Sequence, residues 1–265
     1  MFLVQSMSAP VNDHIMEMLI MIDAAKRASA GRITAVVPFY SYARTDKKDQ
    51  PRVPITGRLV ADLLETAGAD RMVMIDLHAG QVQGFFQVPG DELTAMPRQV
   101  EYFLDRNLDD PVVVAADIGI TKKARDFANW ISAPLAIVEK RRVGNEDRVE
   151  SLNVIGSVDG RLAILFDDEV GTGGTMIAAA EAVIAAGAKE IYVVATHGVL
   201  PGDASTRLAE KPYIKEVVIT DTVPLPADKV NSKIKVISIA PLLGEAIRRI
   251  HEGRSVGELF TLQSG

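Results

Sequence analysis

Short apolar runs alternate with helix-length segments along almost the whole of this chain, and that alternation restricts the fold more than any other feature. The spacing predicts strands over 33–37, 72–75, 112–115, 135–138, 162–166, 191–195, 217–220 and 234–237. It predicts helices over 13–29, 56–67, 122–130, 174–186 and 242–251. Strands that are apolar throughout, rather than at every second residue, are buried on both faces. That requires helices on each side of a mainly parallel sheet, an α/β architecture. With 265 residues, 48% of them hydrophobic, the chain can fill one large or two modest cores of this kind.

A repeat decides for two. Ala67-Gly68-Ala69 leads into the 72–75 run and then to His78, and Ala186-Gly187-Ala188 leads into the 191–195 run and then to His197. The two glycines and the two histidines are separated by the same 119 residues. Duplication of one α/β unit accounts for the matched context. The expected halves are 1–106 and 107–265, joined by the polar stretch Asn107-Leu108-Asp109-Asp110-Pro111. The last helix suits either half.

The richest chemistry lies in Phe166-Asp167-Asp168-Glu169-Val170-Gly171-Thr172-Gly173-Gly174-Thr175. An apolar strand precedes it and an alanine-rich helix follows. Two carboxylates, Asp167 and Asp168, therefore sit at the carboxyl end of a strand, where they can hold sugar hydroxyls or, through water, a divalent ion. The Thr-Gly-Gly-Thr turn opens the helix, whose free N–H groups suit a phosphate monoester. No Gly-Lys-Ser/Thr follows the glycines, so this is not a Walker A loop. A phosphate site beside a diol site describes a pocket for ribose 5-phosphate.

Other constellations fall on the same carboxyl edges. Residues 39–52 mix aromatics with cations, a pattern suited to a nucleotide: rings stack and cations such as Arg44 pair with phosphates. Asp76-Leu77-His78 and Asp117-Ile118-Gly119 each place a possible Mg²⁺ ligand at a strand end, although a histidine beside a carboxylate is also a common structural pair. Residues 140–148, with Lys140, Arg141 and Arg142, show no apolar periodicity. They are expected to form a mobile loop whose cations close over a polyphosphate.

Charge and composition exclude other classes. The net charge of −6 gives no field favouring nucleic acid or an anionic membrane. The absence of cysteine rules out disulfides and thiolate metal sites. The longest apolar run near the N-terminus, 18–22, is too short to span a bilayer, so a cytoplasmic protein is expected.

Taken together, these segments resemble the ribose-phosphate diphosphokinase (phosphoribosyl-diphosphate synthase) family over about 4–260. The resemblance rests on Tyr42-Ala43-Arg44, Arg52-Val53-Pro54-Ile55, Asp76-Leu77-His78-Ala79-Gly80-Gln81 with Gln83-Gly84-Phe85-Phe86, Lys140-Arg141-Arg142 and Ala195-Thr196-His197-Gly198. It implies two phosphoribosyltransferase-like domains, the first on the ATP side and the second binding ribose 5-phosphate. It implies transfer of the diphosphate of MgATP to ribose 5-phosphate by a homo-oligomer. On this pattern Lys140 and Arg142 are catalytic, Arg44, Thr45 and His78 meet ATP, and His78 with Asp117 holds Mg²⁺. Asp167, Asp168, Gly171, Thr172, Gly173, Gly174 and Thr175 hold ribose 5-phosphate.

The chain departs from the pattern at Gly171, Thr45 and Ile120, where the family has an acid, a glutamine and a glycine. The resemblance also implies roughly fifty further residues ahead of Val4, so a missing N-terminal segment is expected. A non-catalytic paralogue that regulates synthase subunits is the competing reading. A phosphoribosyltransferase would share the acidic loop but has no need of Arg44, the duplicated half or Lys140.

Overall fold

The computed structural model describes residues 1–48, 50–142 and 150–260, of which 141, 142, 150, 151 and 260 by backbone alone. The chain forms two compact units. One contains Met1–Ala95, Thr222–Pro224 and the segment from Ala240 onward; the other contains Met96–Asp221 and Leu225–Ile239.

The first unit has strands β1 (Phe2–Val4), β2 (Thr34–Val37), β3 (Arg71–Ile75) and β4 (Gly90–Leu93), in that spatial order and all parallel. Helix α1 (Val11–Arg27) buries Ile15, Met18, Ile22 and Ala25, one face at helical spacing. Helix α2 (Thr56–Ala67) does the same with Gly57, Val60, Ala61 and Leu64. Neither helix has a side-chain N-cap. A cap is worth only about 1 kcal/mol. Each fully buried aliphatic side chain, such as Ile22, Leu64 or Met72, contributes about 1.5–3 kcal/mol, so the core holds these helices.

The second unit opens with α3 (Met96–Arg106). Strand β5 (Pro111–Ala115), helix α4 (Thr121–Trp130) and strands β6 (Leu135–Arg142), β7 (Glu150–Ile155) and β8 (Leu162–Val170) follow. Then come α5 (Gly174–Ala185), β9 (Glu190–Gly198), α6 (Ala204–Ala209), β10 (Ile214–Thr220) and β11 (Ile234–Ile237). The sheet runs β11-β10-β9-β8-β5-β6-β7, and only β7 is antiparallel. From β5 the chain winds outward to β6. It returns through β7 to β8 on the other side of β5 and winds the opposite way to β11. The winding reverses between β5 and β8, and the crevice at their carboxyl ends is where open α/β sheets bind ligands. A last helix, α7 (Ala240–His251), belongs to the first unit.

Two expectations need correction. Residues 140–142 are not loop: β6 runs through Arg142 and pairs with β7, Lys140 opposite Leu152 and Arg142 opposite Glu150. A two-stranded arm needs no apolar alternation, which is why the charge run hid a strand. The remainder of the expected loop, 143–149, lies outside the described residues. Strand β8 also continues past Phe166, so Asp167 and Asp168 are its residues rather than its sequel. Elements β4, β7, α3 and α6 were not expected. Helix α3 was legible, since Met96, Gln99, Val100 and Phe103 are buried at helical spacing.

Candidate active site

At the reversal point of the second unit, β8 carries the acidic pair. Asp168 is buried, only 4% exposed, and its backbone N–H donates to Asp167 Oδ1 at 2.8 Å. Asp167 lies half-buried beside it. Its loss of water, reinforced by the neighbouring Asp168 carboxyl and by Asp117, pushes the Asp167 carboxyl up to about 8. Asp117 stands just past the end of β5, exposed, and its Oδ1 accepts the Ile120 N–H at 3.1 Å. Neighbouring strands thus bring three expected acids to one sheet edge, close enough to feel each other's charge.

The turn after β8 has one position that demands glycine. Gly173 is the N-terminal boundary residue of α5 with φ +79°, the left-handed region. A Cβ there would make ordinary contact with Leu208 on α6 at 3.5 Å, so the backbone conformation alone sets the preference. Gly171 and Gly174 have no such backbone requirement. Helix α5 starts with no side-chain cap, so its first-turn N–H groups point out of the turn with no acceptor in their own helix. Thr172 and Thr175 are exposed on either side. The acidic pair and an uncapped helix start are therefore adjacent in the structure.

Ile120 needs none of a glycine's freedom. It lies at φ −87°, ψ −1°, an ordinary helical conformation, with its side chain buried. Lys140 is exposed on β6, and the backbone of Arg142 follows two residues on.

In the first unit the expected nucleotide residues occupy the carboxyl ends of β2 and β3. Tyr42 is held in the left-handed region at φ +64°. The Thr45 hydroxyl donates to the Tyr42 carbonyl at 2.8 Å, and the Thr45 N–H does so at 2.9 Å. Thr45 thus closes the turn that presents exposed Arg44. Below it, the buried Tyr40 hydroxyl donates to the Gly57 carbonyl at 2.8 Å, and burial raises its pKa far above the usual phenol range. His78 is exposed on the turn after β3. Asp76 begins that turn at φ +41°, and its buried carboxylate accepts the Ala95 N–H at 2.9 Å. The Leu77 N–H donates to Glu92 on β4 at 2.9 Å.

Comparison with known proteins bears on both units. Residues 1–68 match the model of the N-terminal domain of ribose phosphate pyrophosphokinase, and 145–261 match that of the phosphoribosyl synthetase-associated domain. The ribose-phosphate pyrophosphokinase of Caldanaerobacter subterraneus is 57% identical over 261 residues, 98% of this chain and 82% of that protein. That of Bacillus subtilis is 48% identical over 260 residues, 98% and 81% of the two chains. The chain belongs to the ribose-phosphate pyrophosphokinase family. The crystal structure of phosphoribosylpyrophosphate synthetase from Mycobacterium smegmatis superposes with a TM-score of 0.88 at 46% identity, covering 95% of this chain and 82% of that one. An α/β fold of two units, each a mainly parallel sheet flanked by helices, follows from that match and from the strand order.

Within this family member, sequence reading missed one contact to the turn. Arg207 on α6 donates to the Thr172 carbonyl at 3.3 Å. A six-residue helix leaves too little periodicity to detect. Among the described residues no helix is long and apolar enough to cross a membrane. No cluster of three or more His, Asp and Glu among them is placed to hold a metal ion.

Proposed function

We propose that the chain transfers the β,γ-diphosphate of MgATP to the anomeric hydroxyl of ribose 5-phosphate. The anomeric oxygen bonds to the β-phosphorus as that phosphorus loses its bridge to AMP, and the hydroxyl proton is released. Products are phosphoribosyl diphosphate and AMP. What carries the reading is the juxtaposition at the β5/β8 crevice of Asp167 and Asp168 with a left-handed Gly173 opening α5. The oxygens of the acidic pair accept hydrogen bonds from the ribose 2- and 3-hydroxyls, while the Thr172-Gly173-Gly174-Thr175 backbone takes the 5-phosphate.

In-line transfer of this kind needs positioning and charge neutralisation rather than a covalent nucleophile. In this proposal Lys140 and Arg142, both of β6, act on the transferring diphosphate, where negative charge grows. Arg44 and His78 meet the nucleotide, with Thr45 fixing the turn behind Arg44. The donor chemistry fits Mg²⁺ at Asp117: Mg²⁺ binds through one or two carboxylates and completes its shell with water and substrate phosphates. Bound there, Mg²⁺ would neutralise phosphate oxygens.

A homo-oligomer in the cytoplasm, with no nucleic acid or membrane as partner, completes the reading. Met16 and Ile20 on α1 and Leu59 and Leu63 on α2 stay exposed, apolar surface suited to a second copy. The decisive assay is AMP formation from ATP. Release that requires both ribose 5-phosphate and Mg²⁺ is expected. Absence of AMP with both present would turn the reading toward a non-catalytic subunit.

A further inference from the structure

The turn read as the 5-phosphate site has an electrostatic deficit. From Phe166 to Thr175 the chain carries the carboxylates Asp168 and Glu169 beside the Asp167 carboxyl, and no lysine, arginine or histidine. A sugar phosphate brings nearly two more negative charges. The α5 N-terminus offers the equivalent of about half a positive charge, too little to offset them. Across a few ångströms, like charges at a protein surface repel by several kcal/mol. A cation from elsewhere in the fold would offset them.

Helix α6 supplies it. Leu208 seats α6 under the turn, its side chain 3.5–3.8 Å from where a Gly173 Cβ would stand. The preceding residue, Arg207, is exposed and donates from Nη1 to the Thr172 carbonyl at 3.3 Å. Among the described residues it is the one side-chain cation hydrogen-bonded to the 171–175 turn. That bond uses one of five guanidinium donors, and the planar fork matches a phosphate in geometry as well as charge. Resting on the reading of this turn as the ribose 5-phosphate site, we infer that Arg207 is a substrate-binding residue that neutralises the 5-phosphate and selects phosphorylated ribose. The Thr172 contact parks the guanidinium beside the phosphate position before substrate arrives.

The test compares the full chain with Arg207→Ala, Arg207→Lys and Gly173→Val. Ribose 5-phosphate is titrated calorimetrically in the presence of Mg²⁺ and α,β-methylene-ATP, at two salt concentrations, alongside steady-state kinetics and melting curves. Arg207→Ala is expected to weaken ribose 5-phosphate binding about 10-fold, the size of a partly exposed charge-assisted hydrogen bond. Arg207→Lys should lose only about 2- to 3-fold, because the point charge remains. KM for ATP, kcat and Tm should stay close to wild type, and the salt dependence of binding should flatten in Arg207→Ala. Unchanged affinity in Arg207→Ala, with affinity lost in Gly173→Val, overturns the Arg207 assignment and leaves the turn's role standing. Equal losses in both Arg207 variants with a lowered Tm make Arg207 a brace for the turn, which also overturns it. Affinity retained in all three variants removes the ribose 5-phosphate reading of the turn, and the inference falls with it.

Discussion

The duplicated motif ends in two histidines with opposite fates. His78 is exposed on a turn, whereas His197 is 4% exposed and lies inside β9. The approach to each is alike: Gly68 and Gly187 both take positive φ, +123° and +98°, after a helix. The difference arises at the strand ends. Strand β3 stops at Ile75, level with its neighbours, where Val37 pairs with Met74 and Leu93 with Ile75, and the chain turns at once through Asp76. Strand β9 has a longer neighbour: β8 runs to Val170, and Glu169 pairs with His197. Continued pairing keeps the second histidine in the sheet. Equal spacing in sequence therefore marks equal scaffolding, while exposure, and with it chemistry, depends on how far the neighbouring strand extends.

If exposed edge residues serve catalysis and paired ones serve stability, substitutions should separate the two. The largest effect is expected at exposed Lys140. Lys140→Ala should lower kcat by about 10²–10³-fold, with KM values within about twofold and Tm unchanged. A change confined to KM would reassign Lys140 to ground-state binding. Next is Gly173→Val, which forces a β-branched residue to φ +79° at a cost of about 1–3 kcal/mol. The KM for ribose 5-phosphate should rise at least about 10-fold; an unaltered KM breaks the link between the turn and the substrate.

The histidines themselves give the sharpest contrast. His78→Ala should raise KM for ATP about 10-fold at constant Tm. His197→Ala should lower Tm by about 2–10 °C, because a buried polar group is worth about 1–3 kcal/mol to its surroundings. Tm shifts of equal size in both variants would erase the comparison. The smallest effect belongs to Asp167→Asn. A carboxyl raised to about 8 in the folded state holds its proton more tightly folded than unfolded, where its pKa is about 3.9. Wild-type stability should thus fall as pH rises from about 4 to 8 and level off above. The variant cannot ionise, so its Tm advantage should be near zero at pH 4 and reach about 2–4 °C or more by pH 8. An advantage that does not grow with pH would show that Asp167 is not held protonated.

Much of this protein was written in local pattern. Runs such as 112–115 and 162–166 read as buried strands, since burial on both faces leaves no place for polar side chains. The acidic pair and the glycine turn were legible because a strand end and a helix start need few residues to declare themselves. Tertiary structure decided the rest. The end of a charged strand at Arg142 was set by a partner eight residues on, Glu150, with nothing local to mark it. Whether the last helix joined the first unit depended on contacts across more than two hundred residues, such as Arg32 to the Ile250 carbonyl at 2.9 Å. The approach of Arg207 to Thr172 is of the same kind, because local propensity extends only a few residues and a hydrogen bond between distant segments exists only once the sheet has brought them together.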